Sequence, residues 1–117
     1  MQPTLDPTSL AAWRAQTRDI DPTFVSELIL EVLTDTAMQI TALEHASTVR
    51  DTAKCKFVAH RLKSSCHAVG AFRLASLFEG MKVLAKSGAV RFLPELVTEI
   101  RAEYGRLEPA LQQERCA

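Results

Sequence analysis

Apolar residues recur every three or four positions along most of this 117-residue chain, in five segments separated by short polar breaks. This spacing places side chains on one face of an α-helix, whereas a strand alternates its faces. The predicted helices cover residues 7–17, 22–46, 51–69 and 71–88, with a fifth from about residue 92 onward. Because the connections are short, neighbouring long helices should be antiparallel. The pattern therefore predicts an all-α fold, an antiparallel up-and-down four-helix bundle with a short additional N-terminal helix.

Capping residues set the boundaries of these predicted helices. Asp6 and Asp21 each precede a proline, which suits an N-cap followed by the first helical position. Gly70 suits the C-terminal cap of the third helix, and Pro109 is expected to interrupt the last turns of the fifth. No repeat, linker or low-complexity tract divides the chain, so residues 1–117 are interpreted as a single domain.

The predicted core is formed by one apolar stripe from each long helix. The second helix contributes Phe24, Leu28, Val32, Met38, Ile40 and Leu43. The third contributes Cys55, Val58, Ala59, Leu62, Cys66 and Val69. The fourth contributes Leu74, Leu77, Phe78, Met81 and Leu84, and the fifth contributes Leu93, Leu96, Val97, Ile100, Tyr104, Leu107 and Leu111. Each set gathers on one side of a helix.

Charge and cysteine usage narrow the possible functions. Basic and acidic residues number 14 each, so no basic excess is available to neutralise a nucleic-acid backbone, and no nucleic-acid partner is expected. The N-terminus lacks the basic and apolar regions of a signal peptide, and no run of about 18 apolar residues occurs. We therefore expect a cytoplasmic protein without a membrane partner. Cys55, Cys66 and Cys116 lack C-x-x-C spacing, which favours reduced thiols over disulfides or zinc.

The third helix carries a polar stripe opposite its core face. His60, Lys63, Ser64 and His67 share one side, because seven residues make about two helical turns. A neutral imidazole has one nucleophilic ring nitrogen, which can take a proton, a metal ion or a phosphoryl group. Lysines close to such a ring repel a cation and favour an anionic group. The residues themselves therefore favour a phosphoryl group over a metal.

The order of residues around this stripe resembles the signature of histidine-containing phosphotransfer (HPt) domains. The family pattern, roughly Ala-His-x-Leu-Lys-Gly-Ser-x-x-x-x-Gly-Ala-x-x-Leu, is matched by Ala59, His60, Leu62, Lys63, Ser65, Gly70, Ala71 and Leu74. The segments LDPTSLAAW and DIDPTFVSELI look like the usual opening of the family, and ELVTEIRAEYGRLEPAL looks like its last helix. The resemblance implies a phosphorelay intermediate without kinase activity of its own, and the chain has no glycine-rich nucleotide-binding segment.

The resemblance also implies roles for individual residues. His60 would accept a phosphoryl group on Nε2 from a receiver-domain aspartate and pass it to a response regulator. Lys63 would neutralise charge on the phosphoryl oxygens, and Lys86 would be a possible second basic residue. No cofactor is implied for this chain, because Mg²⁺ would belong to the receiver. The implied partners are receiver domains of response regulators and of a hybrid histidine kinase. We expect a monomer, since no second exposed apolar stripe is evident in the sequence.

The implied receiver-docking face lies on the exposed sides of the third and fourth helices. Its expected members are Phe57, His60, Lys63, Ser64, His67, Lys82 and Lys86, with Gly70 at the helix end. Phe57 lies on the flank of His60, where packing under a neighbouring helix is the favoured interpretation. An exposed aromatic side chain that contacts the receiver is the alternative.

Two positions depart from the family pattern. Ser64 follows the lysine where glycine is common, and its small side chain should still leave room for the receiver. Lys82 lies opposite His60, where many members have glutamine or glutamate to accept the Nδ1 proton, and a protonated lysine cannot accept it. Water or Glu79 could replace the missing acceptor. Glu79 could equally pair with Lys63, and Lys82 could simply extend into water.

These departures keep a second function open, a non-phosphorylated HPt-like binding module that docks and sequesters a receiver or another signalling partner. A third function, metal binding through His60, His67 and Cys66, is disfavoured. Cys66 points about 100° away from His67 on a helix, and Lys63 lies between the two histidines. No metal site is therefore expected.

Overall fold

A computed structural model describes residues 2–116, and the described chain is helical with no strand. The helices are α1 (Pro7–Thr17), α2 (Phe24–Thr48), α3 (Thr52–Val69), α4 (Phe72–Ser87) and α5 (Leu93–Arg115), with a 3₁₀ turn at Val90–Phe92. Each of the long helices α2 to α5 packs against its neighbour along the chain, and α5 closes the bundle by packing against α2. The predicted all-α four-helix bundle with a short N-terminal helix is confirmed. In residues 2–116 we find no helix that is both long and apolar enough to cross a membrane.

The core face of α3 is the one that its periodicity predicts. All six expected residues are buried, and Cys55, Leu62 and Cys66 have no exposed surface. They belong to the same core cluster as Phe78 and Met81 of α4, which are also fully buried. Burying one such apolar side chain contributes about 2 kcal/mol. The opposite face of α3 is left for polar residues.

The predicted stripe of α2 is wrong at one position. Met38 is 65% exposed, and Thr36 takes the core position instead at 1% exposed. The spacing explains this, because Thr36, Ile40 and Leu43 follow one another at intervals of four and three residues and therefore share one face. The Thr36 hydroxyl has no hydrogen-bond partner within residues 2–116, which is the cost of placing threonine in this core position.

Two helix boundaries also differ from the prediction. The Asp21 carboxylate accepts hydrogen bonds from the backbone N–H and the hydroxyl of Thr23, and α2 starts at Phe24, two residues after the predicted start. Pro109 does not interrupt α5, which continues through it to Arg115. Both Pro109 and the residue four positions earlier, Gly105, are exposed, so the carbonyl freed by the proline can tilt towards water.

The N-terminal helix is fixed at the C-terminal end of α3. Gly70 ends α3 in the left-handed conformation, with φ of 85°, and its carbonyl accepts a hydrogen bond from the Asp6 N–H at 3.0 Å. A Cβ atom at this position would collide with the carbonyl oxygen of Asp6 and lie against Ser9. The indole of Trp13 donates a hydrogen bond to the carbonyl of Ala68 at 2.9 Å. These contacts cover the end of α3 and leave its middle turns exposed.

Two polar contacts join α2 and α5 on the side of the bundle away from the polar face of α3. The Tyr104 hydroxyl donates a hydrogen bond to the carbonyl of Leu33 at 2.9 Å, in a buried position. Arg101 binds both carboxylate oxygens of Glu44, at 2.8 and 2.7 Å. These contacts help to hold α5 against α2.

Candidate functional site

His60 lies exposed in the middle of α3, directly beside Lys82 of α4. The Lys82 Nζ atom is 3.0 Å from Nδ1 of the His60 ring. The antiparallel packing of α3 against α4 brings the two residues together, as the sequence predicted. Since Nδ1 faces Lys82, Nε2 is the ring nitrogen that a partner can approach.

Glu79 joins the two lysines that flank the histidine. Lys63 donates a hydrogen bond to Glu79 Oε2 at 2.9 Å, and Lys82 Nζ lies 3.4 Å from the same oxygen. The hydrogen bond from Lys63 lowers the pKa of Glu79 below its usual value, and Lys82 adds to this effect. The carboxylate is thus charged at neutral pH. Lys82 therefore contacts His60 and Glu79 and does not extend freely into water.

Phe57 is exposed beside His60, which corrects the favoured expectation that a neighbouring helix covers it. The residue has 69% of its surface exposed. A shallow depression of about 310 Å³ lies next to it, lined by Ala53, Lys56, Phe57, His60 and Lys82. The aromatic side chain and the nucleophilic ring thus belong to one continuous surface. Such an exposed aromatic next to charged groups is typical of a protein-docking surface.

The other predicted site residues are only partly gathered on this surface. Ser64, His67 and Lys86 are exposed, and Lys86 lies one turn beyond Lys82 on α4. The His67 ring packs against Phe72, with 5.3 Å between ring centroids. Gly70 lies at the end of α3 as expected, but it is buried beneath the N-terminal segment and contributes no exposed surface to the docking face. Glycine is needed at this position because the residue that ends α3 has the left-handed conformation.

The structure argues against the metal alternative through Cys66. This thiol faces the core with no exposed surface, and burial raises its pKa to about 12. A protonated, buried thiol cannot join His60 and His67 as a ligand, because metals bind the thiolate. Within residues 2–116, no group of three or more His, Cys, Asp or Glu side chains is arranged to hold a metal ion.

Sequence reasoning missed two features of the exposed surface. Val83 is 57% exposed beside Lys82, adding an apolar side chain to the α4 side of the surface. The sequence signal for this exposure was that Val83 directly follows the polar Lys82. On α2, Leu30 and Met38 are 45% and 65% exposed, so the described chain does present apolar side chains on a second face. The sequence argument for a monomer assumed that none existed.

The charges around His60 suit an anionic group. Lys56, Lys63 and Lys82 surround the ring, with Lys86 one turn further on, and Glu79 is the acidic side chain that pairs with two of them. An exposed imidazole within a positively charged surface can accept a phosphoryl group, whose oxygens the ammonium groups would neutralise. It is poorly suited to a metal cation, which the same lysines would repel.

Comparisons with known proteins identify the family and the fold. Residues 27–110 match the family model described as Hpt domain. The fold is similar to the crystal structure of histidine-containing phosphotransfer protein B (HptB) from Pseudomonas aeruginosa PAO1, with a TM-score of 0.88. That superposition covers 98% of this chain and 96% of the other, at 23% sequence identity, and shows a shared fold. No curated protein matches the sequence.

Proposed function

The chain belongs to the Hpt domain family, whose members are phosphocarrier proteins of phosphorelays, and on this basis we propose that it carries a phosphoryl group on His60. The group would come from the aspartyl phosphate of a receiver domain and pass to a response regulator. The observation that carries the proposal is the exposed His60 ring among lysines, within the segment that matches the family. No kinase activity is assigned to the chain.

The chemistry assigned to this chain is positioning and charge neutralisation. Nε2 of His60 attacks the phosphorus atom, the N–P bond forms, and the aspartyl oxygen leaves with its electron pair as a carboxylate. Lys63 leaves its hydrogen bond to Glu79 and binds the phosphoryl oxygens. Lys86 contributes positive potential from the next turn of α4. Transfer of this type depends on alignment and on neutralising the oxygens. The chain needs no cofactor of its own, and Mg²⁺ is assigned to the receiver.

The docking partner is a receiver domain that packs against the exposed sides of α3 and α4. Phe57 and Val83 supply apolar contact area, and the lysines around His60 complement the acidic phosphorylation site of such a partner. Ser64 and His67 lie along the same side of α3 and extend the contact. A small apolar patch surrounded by charge favours rapid association and release, as a relay requires.

A second candidate is a module that docks receivers without being phosphorylated. The close contact between Lys82 and Nδ1 of His60 favours it, because an ammonium group cannot accept the proton that a nucleophilic Nε2 leaves on Nδ1. Both candidates use the same surface, so they differ only in whether phosphate reaches His60.

Incubation with a phosphorylated receiver domain and Mg²⁺, followed by intact-protein mass spectrometry at neutral pH, tests the proposal. We expect one acid-labile phosphoryl group on the wild-type protein and none on His60→Gln. His45→Gln is the matched control, because His45 is an exposed histidine on α2, and it should be labelled normally. Unchanged labelling of His60→Gln would overturn the proposal. Binding without labelling of the wild type would establish the docking module instead.

A further inference from the structure

The hydrogen-bonding capacity of Lys82 restricts the protonation of His60. A lysine ammonium has three N–H donors and no acceptor, so at 3.0 Å it donates to Nδ1 and Nδ1 must present its lone pair. A neutral imidazole carries one ring proton. With the Nδ1 lone pair directed at Lys82, that proton is on Nε2.

We propose that Lys82 is a positioning residue that holds neutral His60 with its proton on Nε2, which makes the free protein a slow phosphoryl acceptor and its phosphohistidine long-lived. The inference rests on the proposed role of His60 as the phosphoryl acceptor. It adds a residue of this chain that influences the transfer rate. Lys82 acts through the ring and does not contact the phosphorus atom.

Acceptance is slow because the attacking nitrogen is the protonated one. In the balanced step the Nε2–H proton leaves to solvent, Nε2 forms the bond to phosphorus, and the aspartyl oxygen departs as a carboxylate. The reactive tautomer, with Nδ1–H and a free Nε2 lone pair, would direct a proton at the Lys82 ammonium. A hydrogen bond from a charged donor is strong enough to disfavour that tautomer by about tenfold or more.

The same contact protects the phosphorylated ring. With phosphorus on Nε2, the uncharged ring has a lone pair on Nδ1, so the hydrogen bond from Lys82 is retained. Loss of the phosphoryl group is easiest when Nδ1 is protonated, because neutral imidazole is a better leaving group than its anion. Lys82 occupies the lone pair and repels a second positive charge there, and both effects oppose that protonation.

Glu79 provides the alternative partner that can release the ring. Lys82 Nζ lies 3.4 Å from Glu79 Oε2, while Lys63 already binds that oxygen at 2.9 Å. When Lys63 leaves Glu79 for an incoming phosphoryl group, the carboxylate becomes available to Lys82. A shift of Lys82 onto Glu79 would free Nδ1 and allow the reactive tautomer to form.

Histidine tautomers can be read directly by long-range ¹H–¹⁵N correlation NMR on ¹⁵N-histidine-labelled protein, without any phosphate. At about pH 8.5, well above the ordinary imidazole pKa of about 6.5, we expect the wild-type His60 signal to show the proton on Nε2. Lys82→Glu, which can only accept, should move the proton to Nδ1, and Lys82→Met should give a mixture. Lys54→Met, an exposed lysine on α3, is the matched control and should retain the wild-type pattern. A wild-type ring protonated on Nδ1 would overturn the inference.

Transfer kinetics test whether Lys82 slows phosphoryl acceptance and prolongs the life of the phosphohistidine. Loss of one positive charge by itself should slow acceptance of an anionic group, whereas loss of the Lys82 restraint should speed it. We expect Lys82→Met to accept phosphate from a phosphorylated receiver about tenfold faster and its isolated phosphohistidine to decay about tenfold sooner. Slower acceptance with an unchanged lifetime would overturn the inference. Absence of phosphate from every variant would instead overturn the proposed role of His60, and the NMR result would still decide the tautomer.

Discussion

Glu79 Oε2 accepts a hydrogen bond from the Lys63 ammonium at 2.9 Å, across the interface between α3 and α4. The lysine assigned to the phosphoryl oxygens is therefore engaged with a carboxylate before any phosphate arrives. Both side chains are partly exposed, at 33% and 44%, so solvent screens the pair and it contributes little to stability. A phosphoryl dianion can displace such a weakly held partner.

Lys63→Ala should slow phosphoryl acceptance by about tenfold, because one charge-assisted contact to the phosphoryl oxygens is lost. The free energy of unfolding should change little, since the pair with Glu79 is exposed to solvent. Rapid-quench kinetics with a phosphorylated receiver measure the first quantity, and urea unfolding measures the second. Lys54→Ala removes a lysine elsewhere on α3 and should leave the rate unchanged. Equal rates for wild type and Lys63→Ala would remove Lys63 from the transfer step.

Phe57→Ala should weaken receiver binding by about fivefold or more, because an aromatic side chain at the centre of a small interface commonly contributes more than 1 kcal/mol. Phe57 is 69% exposed, so the stability of the bundle should be unaffected. Isothermal titration calorimetry with a receiver domain measures the affinity. Met38→Ala is the matched control, because Met38 is an equally exposed apolar residue on α2. If both variants bind like wild type, the receiver does not use the surface beside His60.

The fold and the polar face of α3 were predictable because both follow from helical periodicity. Cys55, Leu62 and Cys66 recur at helical intervals, so their burial could be derived without the other helices. The exposure of Phe57 could not, because it depends on how far α4 extends over α3. Position 38 was misassigned for another reason: an apolar residue was preferred to Thr36 although Thr36 has the correct spacing.

The contacts within the candidate site were predictable only in part. Antiparallel packing of α3 and α4 is enough to place Lys82 opposite His60. The sequence left open whether Glu79 pairs with Lys63 or replaces the acceptor for Nδ1, because both lie within reach of its side chain. The structure shows Glu79 bound to Lys63, which depends on side-chain conformations that spacing does not determine.

Gly70→Ala should destabilise the protein by about 1–2 kcal/mol or more. Gly70 has φ of 85°, which costs an L-residue about 1 kcal/mol, and the added Cβ would collide with the carbonyl of Asp6. Urea unfolding followed by circular dichroism measures the change. Gly105→Ala is the matched control, because Gly105 lies in an exposed part of α5 with open space around it, and alanine there should stabilise by about 0.5–1 kcal/mol. Equal effects of the two substitutions on the free energy of unfolding would contradict the requirement for glycine at the end of α3.

The ion pair between Glu44 and Arg101 should make a pH-dependent contribution to stability. The hydrogen bonds from Arg101 lower the pKa of Glu44 below its usual 4.5, and unfolding returns the pKa to that value. The stabilisation is therefore fully present above about pH 4.5 and is lost as the pH falls through the lower, folded-state pKa.

Glu44→Gln should reduce the free energy of unfolding by about 0.5 kcal/mol at pH 7, an amount typical of an exposed pair. The reduction should shrink when urea unfolding is repeated at successively lower pH. Glu99→Gln, an exposed carboxylate on α5, controls for the loss of charge alone. A reduction for Glu44→Gln that does not shrink as the pH falls would place its origin outside the ion pair, since protonation of Glu44 removes the charge that Arg101 binds.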